Sequence, residues 1–142
     1  MNKPDIKLSI VIPCYNEEDY VENLLKELLK EVNPHEIIVV DDFSSDNSIK
    51  KITSVKDQRL KLIRNSKNKG KGFCITEGFK NVTGNVILVQ DADPEYDPKD
   101  INFLISPFFE VDADFIIGTR FQTKYRRKIG YFYHTIFNRF IT

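Results

Sequence analysis

Cysteine, histidine and long apolar runs are all scarce in this sequence, and each shortage excludes something. Cys14 and Cys74 are the only two cysteines among 142 residues, and they lie far apart with no CxxC pair. That excludes a thiolate zinc cluster and a dithiol redox motif. Two buried thiols in a reducing cytoplasm are expected instead. His35 precedes an apolar run and His134 sits among aromatics. Neither has a cysteine or aspartate at ligand spacing or a nucleophile motif beside it, so neither is assigned a zinc or triad role. The N-terminus, MNKPDIKLSI, lacks the apolar core of a signal peptide, and no apolar run approaches the length of a membrane span. No GxGxxG follows the first apolar run, which argues against a dinucleotide-binding dehydrogenase. Internal repeats, linkers and low-complexity tracts are lacking as well.

Net charge is also lacking: Lys+Arg and Asp+Glu both total 21. The charges are unevenly spread, because Lys124, Arg126, Arg127, Lys128 and Arg139 stand in a C-terminal stretch without a single acid. The length suits one domain with a real core. Lys7 to Ile12 reads as a first strand ended by Pro13. Asn16 is expected to cap a helix beginning at Glu17, with Val21, Leu24, Leu25, Leu28 and Leu29 on one face. Glu36 to Val40 is a second strand, followed by cap and turn residues and a short helix from about Asn47 to Val55. Leu60 to Ile63 is a third strand. Phe73 to Val82 reads as a helix behind a polar loop, NSKNKGKG. Val86 to Val89 is a four-residue apolar run expected to be buried on both faces. Asp97 with Pro98 starts a further helix to about Phe109, and Asp114 to Ile117 is a fifth strand. Strands alternating with helices give an α/β domain with a mostly parallel sheet flanked by helices. The chain stops at Arg139-Phe140-Ile141-Thr142 without a helix stop signal, so an incomplete C-terminal part is expected.

Three strand ends carry polar residues: Pro13 to Glu17, Asp41-Asp42, and Asp91-Ala92-Asp93. In a parallel sheet these ends share one edge, the edge at which open α/β sheets bind ligands. Turn and cap duty is the bland alternative for any one of these acids. Asp91 and Asp93 offer hard oxygen ligands suited to Mg²⁺ or Mn²⁺, and a divalent ion suits a diphosphate.

The segments IVIPCYNEE, EIIVVDDFSSDNS, NKGKGFCITEGFK, GNVILVQDADPEYDP and FIIGTRF, in this order and spacing, resemble family-2 glycosyltransferases with the GT-A nucleotide-sugar-binding fold. The nearest resemblance is to the branch of dolichyl- and polyprenyl-phosphate mannosyl- and glucosyltransferases. The resemblance implies a nucleotide-sugar-binding domain over residues 1–121 and a basic, aromatic segment over 122–142 leading towards an acceptor-side region. It implies that Pro13, Tyr15 and Glu17 line the nucleotide pocket, that Asp42 accepts a hydrogen bond from the base, and that Val40 and Ala92 give apolar and close backbone contact. Asp91-Ala92-Asp93 resembles the DXD motif. Asp93 would coordinate the metal, and Asp91 would face the ribose or bind the metal through water. Glu95 is a further candidate ligand, with a solvated loop glutamate as the alternative. Arg120 matches the position that holds diphosphate oxygens, its alternative being a pairing with a structural acid. Asp93 and Arg120 are the catalytic candidates. Lys69-Gly70-Lys71-Gly72 lacks P-loop spacing; the resemblance makes Lys71 a nucleotide contact, against a solvated basic turn.

The expected activity is inverting, metal-dependent transfer of a hexose from a UDP- or GDP-linked donor to an acceptor such as a polyprenyl phosphate. The acceptor base of the family would fall beyond Thr142. A nucleotide-sugar-binding module without transfer activity is the alternative. The aromatic-basic mixture from Phe121 to Phe140 suits an anionic membrane surface or a lipid phosphate, or else packing on a C-terminal half. A cytoplasmic protein, peripheral on the membrane's cytoplasmic face and without a nucleic-acid partner, is the corresponding expectation.

Overall fold

The structure is a computed structural model of the chain, and it describes residues 5–110 and 114–118. Four strands form one parallel sheet in the order β3-β2-β1-β4: β1 is Leu8–Cys14, β2 Glu36–Asp41, β3 Leu60–Arg64 and β4 Val86–Val89. β1 pairs with β2 from Ser9↔Glu36 to Cys14↔Asp41, and with β4 from Leu8↔Val86 to Val11↔Val89. The two central strands are the apolar ones. All six residues of β2 are buried, and in β1 only Pro13 is partly exposed. Isoleucine and valine dominate both, which fits strands covered on two faces.

The helices divide between those faces. α1 (Val21–Glu27), continued by a π-helical turn Leu28–Val32, packs with α2 (Ser48–Ser54) on the face that carries Ile10, Ile12, Ile37 and Val39. Leu25 and Leu28 are completely buried there. α3 (Lys71–Phe79) lies on the other face, where Ile38, Val40 and Cys74 form a smaller core. Gly78 allows the close approach, because a Cβ at that position would run into the Val11 side chain. After β4 a 3₁₀ turn Pro98–Asp100 leads into α4 (Ile101–Ile105) and α5 (Pro107–Glu110). Asp97 caps this start as expected, its Oδ1 accepting from the Lys99 N–H at 2.9 Å, with Pro98 at the first position.

Three expectations need correcting. β4 is an edge of the described sheet and not a doubly covered strand: Val86 and Leu88 pack on the core, while Ile87 and Val89 are exposed. An unbroken apolar run cannot distinguish the two cases; α3 packs chiefly on β1 and β2. Residues 114–117 form no strand among the described residues, and Phe115 and Ile117 are both 77% exposed. An extended apolar run needs a partner ladder to become a strand, and no pairing is recorded for it. Asn16 is not a helix cap. It is left-handed at φ 56° and its carboxamide accepts from the Ser45 N–H, while α1 proper starts at Val21.

Candidate functional site

In the order 3-2-1-4 the chain reverses its direction of winding between β1 and β4. A crevice opens at the carboxyl ends of strands at such a point. Pro13, Cys14, Tyr15 and Glu17 leave β1 on one side of it, and Gln90, Asp91, Ala92 and Asp93 leave β4 on the other. The structure thus joins the first and third acidic stretches across one gap, with Asp41-Asp42 on the neighbouring strand.

The β1 exit is held rigidly. Its N–H groups donate to side chains of the β2–α2 loop: Asn16 to Ser44 Oγ at 2.9 Å, Glu17 to Ser48 Oγ at 2.8 Å, and Glu18 to Asp46 Oδ2 at 3.1 Å. In return the Glu18 carboxylate accepts from the Asn47 N–H at 2.8 Å. Tyr15 and Glu17 therefore stand on a stem with its backbone donors satisfied. Tyr15 is 49% exposed, ready to face a ligand. At the β4 exit, buried Gln90 donates to the Asp91 carbonyl at 3.2 Å and the Tyr96 carbonyl at 3.5 Å, tying the acidic loop into a closed shape. Asp93 Oδ1 accepts from the Glu95 N–H at 3.0 Å. Lys71, the first residue of α3, places Nζ 2.6 Å from Asp91 Oδ1.

Electrostatics mark this gap. Glu17 is raised above the ordinary carboxylate range, first by burial and then by the negative charges of Asp93, Asp46 and Asp91. The acids thus act on one another, and Lys71 partly offsets them. This donor set fits Mg²⁺ or Mn²⁺, since such ions take one or two carboxylates and complete their shell with water and phosphate oxygens. It does not form an all-protein cage: among the described residues no three acid, histidine or cysteine groups converge as a metal site. Next to Asp93, between α1 and the loop after β4, lies an open cavity of about 360 Å³ lined by Leu24, Tyr20, Ala92, Asp93 and Asp97.

Two of the expected contacts are engaged within the fold. Val40 is fully buried in the smaller core with Ile38 and Cys74. Asp42 is 3% exposed and staples the polar loop, its oxygens accepting from Asn65 Nδ2 at 2.8 Å, Lys69 N–H at 2.8 Å and Gly70 N–H at 2.7 Å. Burial alone would raise its pKa, but those hydrogen bonds outweigh it and hold the carboxyl low. Pro13 is partly exposed at the gap, Ala92 is buried beneath it, and Glu95 is exposed on the loop. Arg120 and the segment 122–142 lie outside the described residues. Cys14 and Cys74 are buried and unpaired; burial, the first cause in each case, pushes the thiols up to about 12 and about 11. They are inert at neutral pH. Sequence reasoning gives Gln90 no role; it reads Ser44, Ser45 and Asp46 as cap and turn residues, and in the structure Ser44, Asp46 and Ser48 accept from the backbone donors of the β1 exit.

A parallel α/β sheet with an acidic pair at its winding reversal, opposite a rigid loop bearing a tyrosine and a glutamate, defines a GT-A-type domain. The chain belongs to glycosyl transferase family 2, whose family model matches residues 9–141. It is 36% identical over 120 residues to a dolichol-phosphate mannosyltransferase of Pyrococcus furiosus, covering 82% of this chain and 34% of that protein. It is 35% identical over 121 residues to an undecaprenyl-phosphate 4-deoxy-4-formamido-L-arabinose transferase of Proteus mirabilis, covering 80% of this chain and 36% of the relative. The fold matches the glucosyl-3-phosphoglycerate synthase of Mycobacterium tuberculosis, solved with Mn²⁺, UDP and phosphoglyceric acid, at a TM-score of 0.62 and 20% identity over 74% of this chain and 39% of that one. The chain spans about a third of the length of these curated relatives.

Proposed function

We propose that this chain is the nucleotide-sugar-binding part of an inverting glycosyltransferase that moves a hexose from a UDP- or GDP-linked donor to a polyprenyl phosphate. The observation that carries this is the acidic gap at the β1–β4 reversal, where Asp91 and Asp93 face Glu17 and Lys71. The names of the two curated relatives, both transferases acting with polyprenyl-type phosphates, support the acceptor class. The Mn²⁺ and UDP of the mycobacterial structure support a divalent ion and a nucleotide donor.

In this reading Asp93, with Asp91 as a second or water-mediated ligand, holds Mg²⁺ or Mn²⁺ against the donor diphosphate, and Glu95 stands at the rim. When bound, the ion acts as a Lewis acid on the charge that grows on the departing nucleoside diphosphate. Lys71 neutralises a diphosphate oxygen or Asp91, and Arg120 adds a second cation. Tyr15 and Pro13 border the nucleoside, Ala92 lets the backbone come close, and Glu17 fixes polar contacts of the sugar nucleotide. Asp42 supports the base side through the loop it staples. A phosphate acceptor needs little basic assistance, because its second pKa is about 6. Positioning of donor and acceptor then carries much of the rate.

Calorimetric titration with UDP-glucose, GDP-mannose and the corresponding diphosphates, with Mn²⁺ and with chelator, tests the reading. Metal-dependent binding of one base series is expected. Absence of binding to every one of them by folded protein would refute it. The acceptor side implies a peripheral site on the cytoplasmic membrane face; no helix among the described residues is long and apolar enough to span a bilayer. Neutralising Arg126, Arg127 and Lys128 together is expected to weaken binding to anionic vesicles by an order of magnitude or more, since each basic residue near such a surface contributes about 1 kcal/mol. Unchanged vesicle binding would count against the membrane role.

A further inference from the structure

Among the described residues, three other than glycine are left-handed: Asn16, Asn33 and Phe43. Asparagine tolerates this conformation, whereas a bulky aromatic does not do so readily. Phe43, at φ 66°, lies just beyond the carboxyl end of β2 with its ring 49% exposed. Its neighbours in sequence, Asp42 and Ser44, are both buried, and the Ser44 N–H donates to Asp41 Oδ2 at 3.2 Å. The ring therefore projects from a fixed stem at the ligand edge of the sheet. The Arg64 guanidinium lies 5.7 Å from the ring centroid, and it is itself held by the Ser44 carbonyl and Asp41 Oδ2, each at 3.4 Å. Strain and apolar exposure together make phenylalanine a costly choice where glycine would relieve both. Meanwhile Asp42 already accepts three hydrogen bonds from its own chain.

We propose that Phe43 is the platform for the donor nucleobase: its ring, braced by Arg64, stacks on the base plane. This rests on the nucleotide-sugar reading above. Aromatic stacking tolerates any base, because every base has a π-face. Phe43 would thus hold the base whichever donor series is used, and the polar contacts around it would select between them.

The test uses full-length protein with Mn²⁺, comparing wild type, Phe43→Gly and Phe43→Trp against UDP, GDP and inorganic pyrophosphate. Phe43→Gly is expected to lower affinity for the nucleoside diphosphate about tenfold, the size of one base–aromatic stack. It should leave pyrophosphate affinity and the melting temperature unchanged or the latter raised. Phe43→Trp introduces the only tryptophan of these 142 residues; its emission should be quenched by the nucleotide and not by pyrophosphate. Equal nucleotide affinity in wild type and Phe43→Gly would overturn the inference. So would an equal loss for pyrophosphate, which would indicate loop damage. Wild type that binds no nucleotide would sink the donor reading itself, and the platform with it.

Discussion

Asp93→Ala is expected to abolish metal-dependent binding of the nucleotide sugar, with affinity falling at least a hundredfold in Mn²⁺ and the difference between Mn²⁺ and chelator disappearing. A carboxylate that shares a divalent ion with a diphosphate contributes several kcal/mol through charge neutralisation. Asp91 is partly engaged by Lys71 at 2.6 Å, and Glu95 is exposed on the loop. The fold should survive, because among the described residues the contact Asp93 gives up is with the Glu95 N–H, and losses of that kind at accessible sites stay near 1 kcal/mol or below. A second readout needs no ligand. Asp93 is the largest of the charges that raise Glu17 beyond the effect of burial. Its removal should move the Glu17 titration, followed by carboxyl NMR, down towards the ordinary range. Persistence of metal-dependent binding in Asp93→Ala would remove this residue from the metal site. An unmoved Glu17 would show that the two acids do not share the gap.

The strands that position this site were readable because each is a short β-branched run ended by polar residues. Lys7–Ile12, Glu36–Val40, Leu60–Ile63 and Val86–Val89 all form strands within a residue or two of expectation. Their place in the sheet was less readable. Val86-Ile87-Leu88-Val89 shows no alternation, yet its residues alternate in burial, because position in the strand order is a tertiary property. The acids at the strand ends were found by type, whereas their duties depend on which backbone donors come near. Asp42 and Asp91 look alike in sequence. One staples a loop through three hydrogen bonds, and the other pairs with a lysine at the start of α3. Phe43 gave no signal at all, since nothing in FSSDNS marks a phenylalanine as left-handed.

Glu36→Ala is expected to destabilise the fold by about 3 kcal/mol and lower the melting temperature by on the order of 10 °C. In sequence Glu36 is merely the polar start of EIIVV. In the structure it is 3% exposed and joins four chain segments. It accepts from Ser9 Oγ at 2.7 Å on β1, from Lys61 Nζ at 2.7 Å on β3, and from the backbone and hydroxyl of Thr83 in the loop that leads to β4. Burial raises its pKa, but these partners outweigh burial and bring the carboxyl down to about 2. A displacement from the ordinary 4.5 to about 2 corresponds to about 3 kcal/mol in favour of the ionised folded state. Lys61 is half exposed and can turn to water, as can the exposed Thr83, so the larger cost of losing Glu36 falls on Ser9, whose fully buried hydroxyl loses its acceptor. Glu36→Gln preserves shape and one acceptor oxygen and should cost only about 1 kcal/mol at neutral pH. Acid gives the sign a separate check. The folded chain binds this proton less tightly than the unfolded chain, so the contribution is whole above pH 4.5 and drains away as pH falls towards 2. In denaturant melts between pH 7 and pH 2 the gap between wild type and Glu36→Gln should therefore shrink and then change sign as the acid range is entered. A gap that stays constant with pH would show that the charge of Glu36 contributes nothing and that only its shape matters.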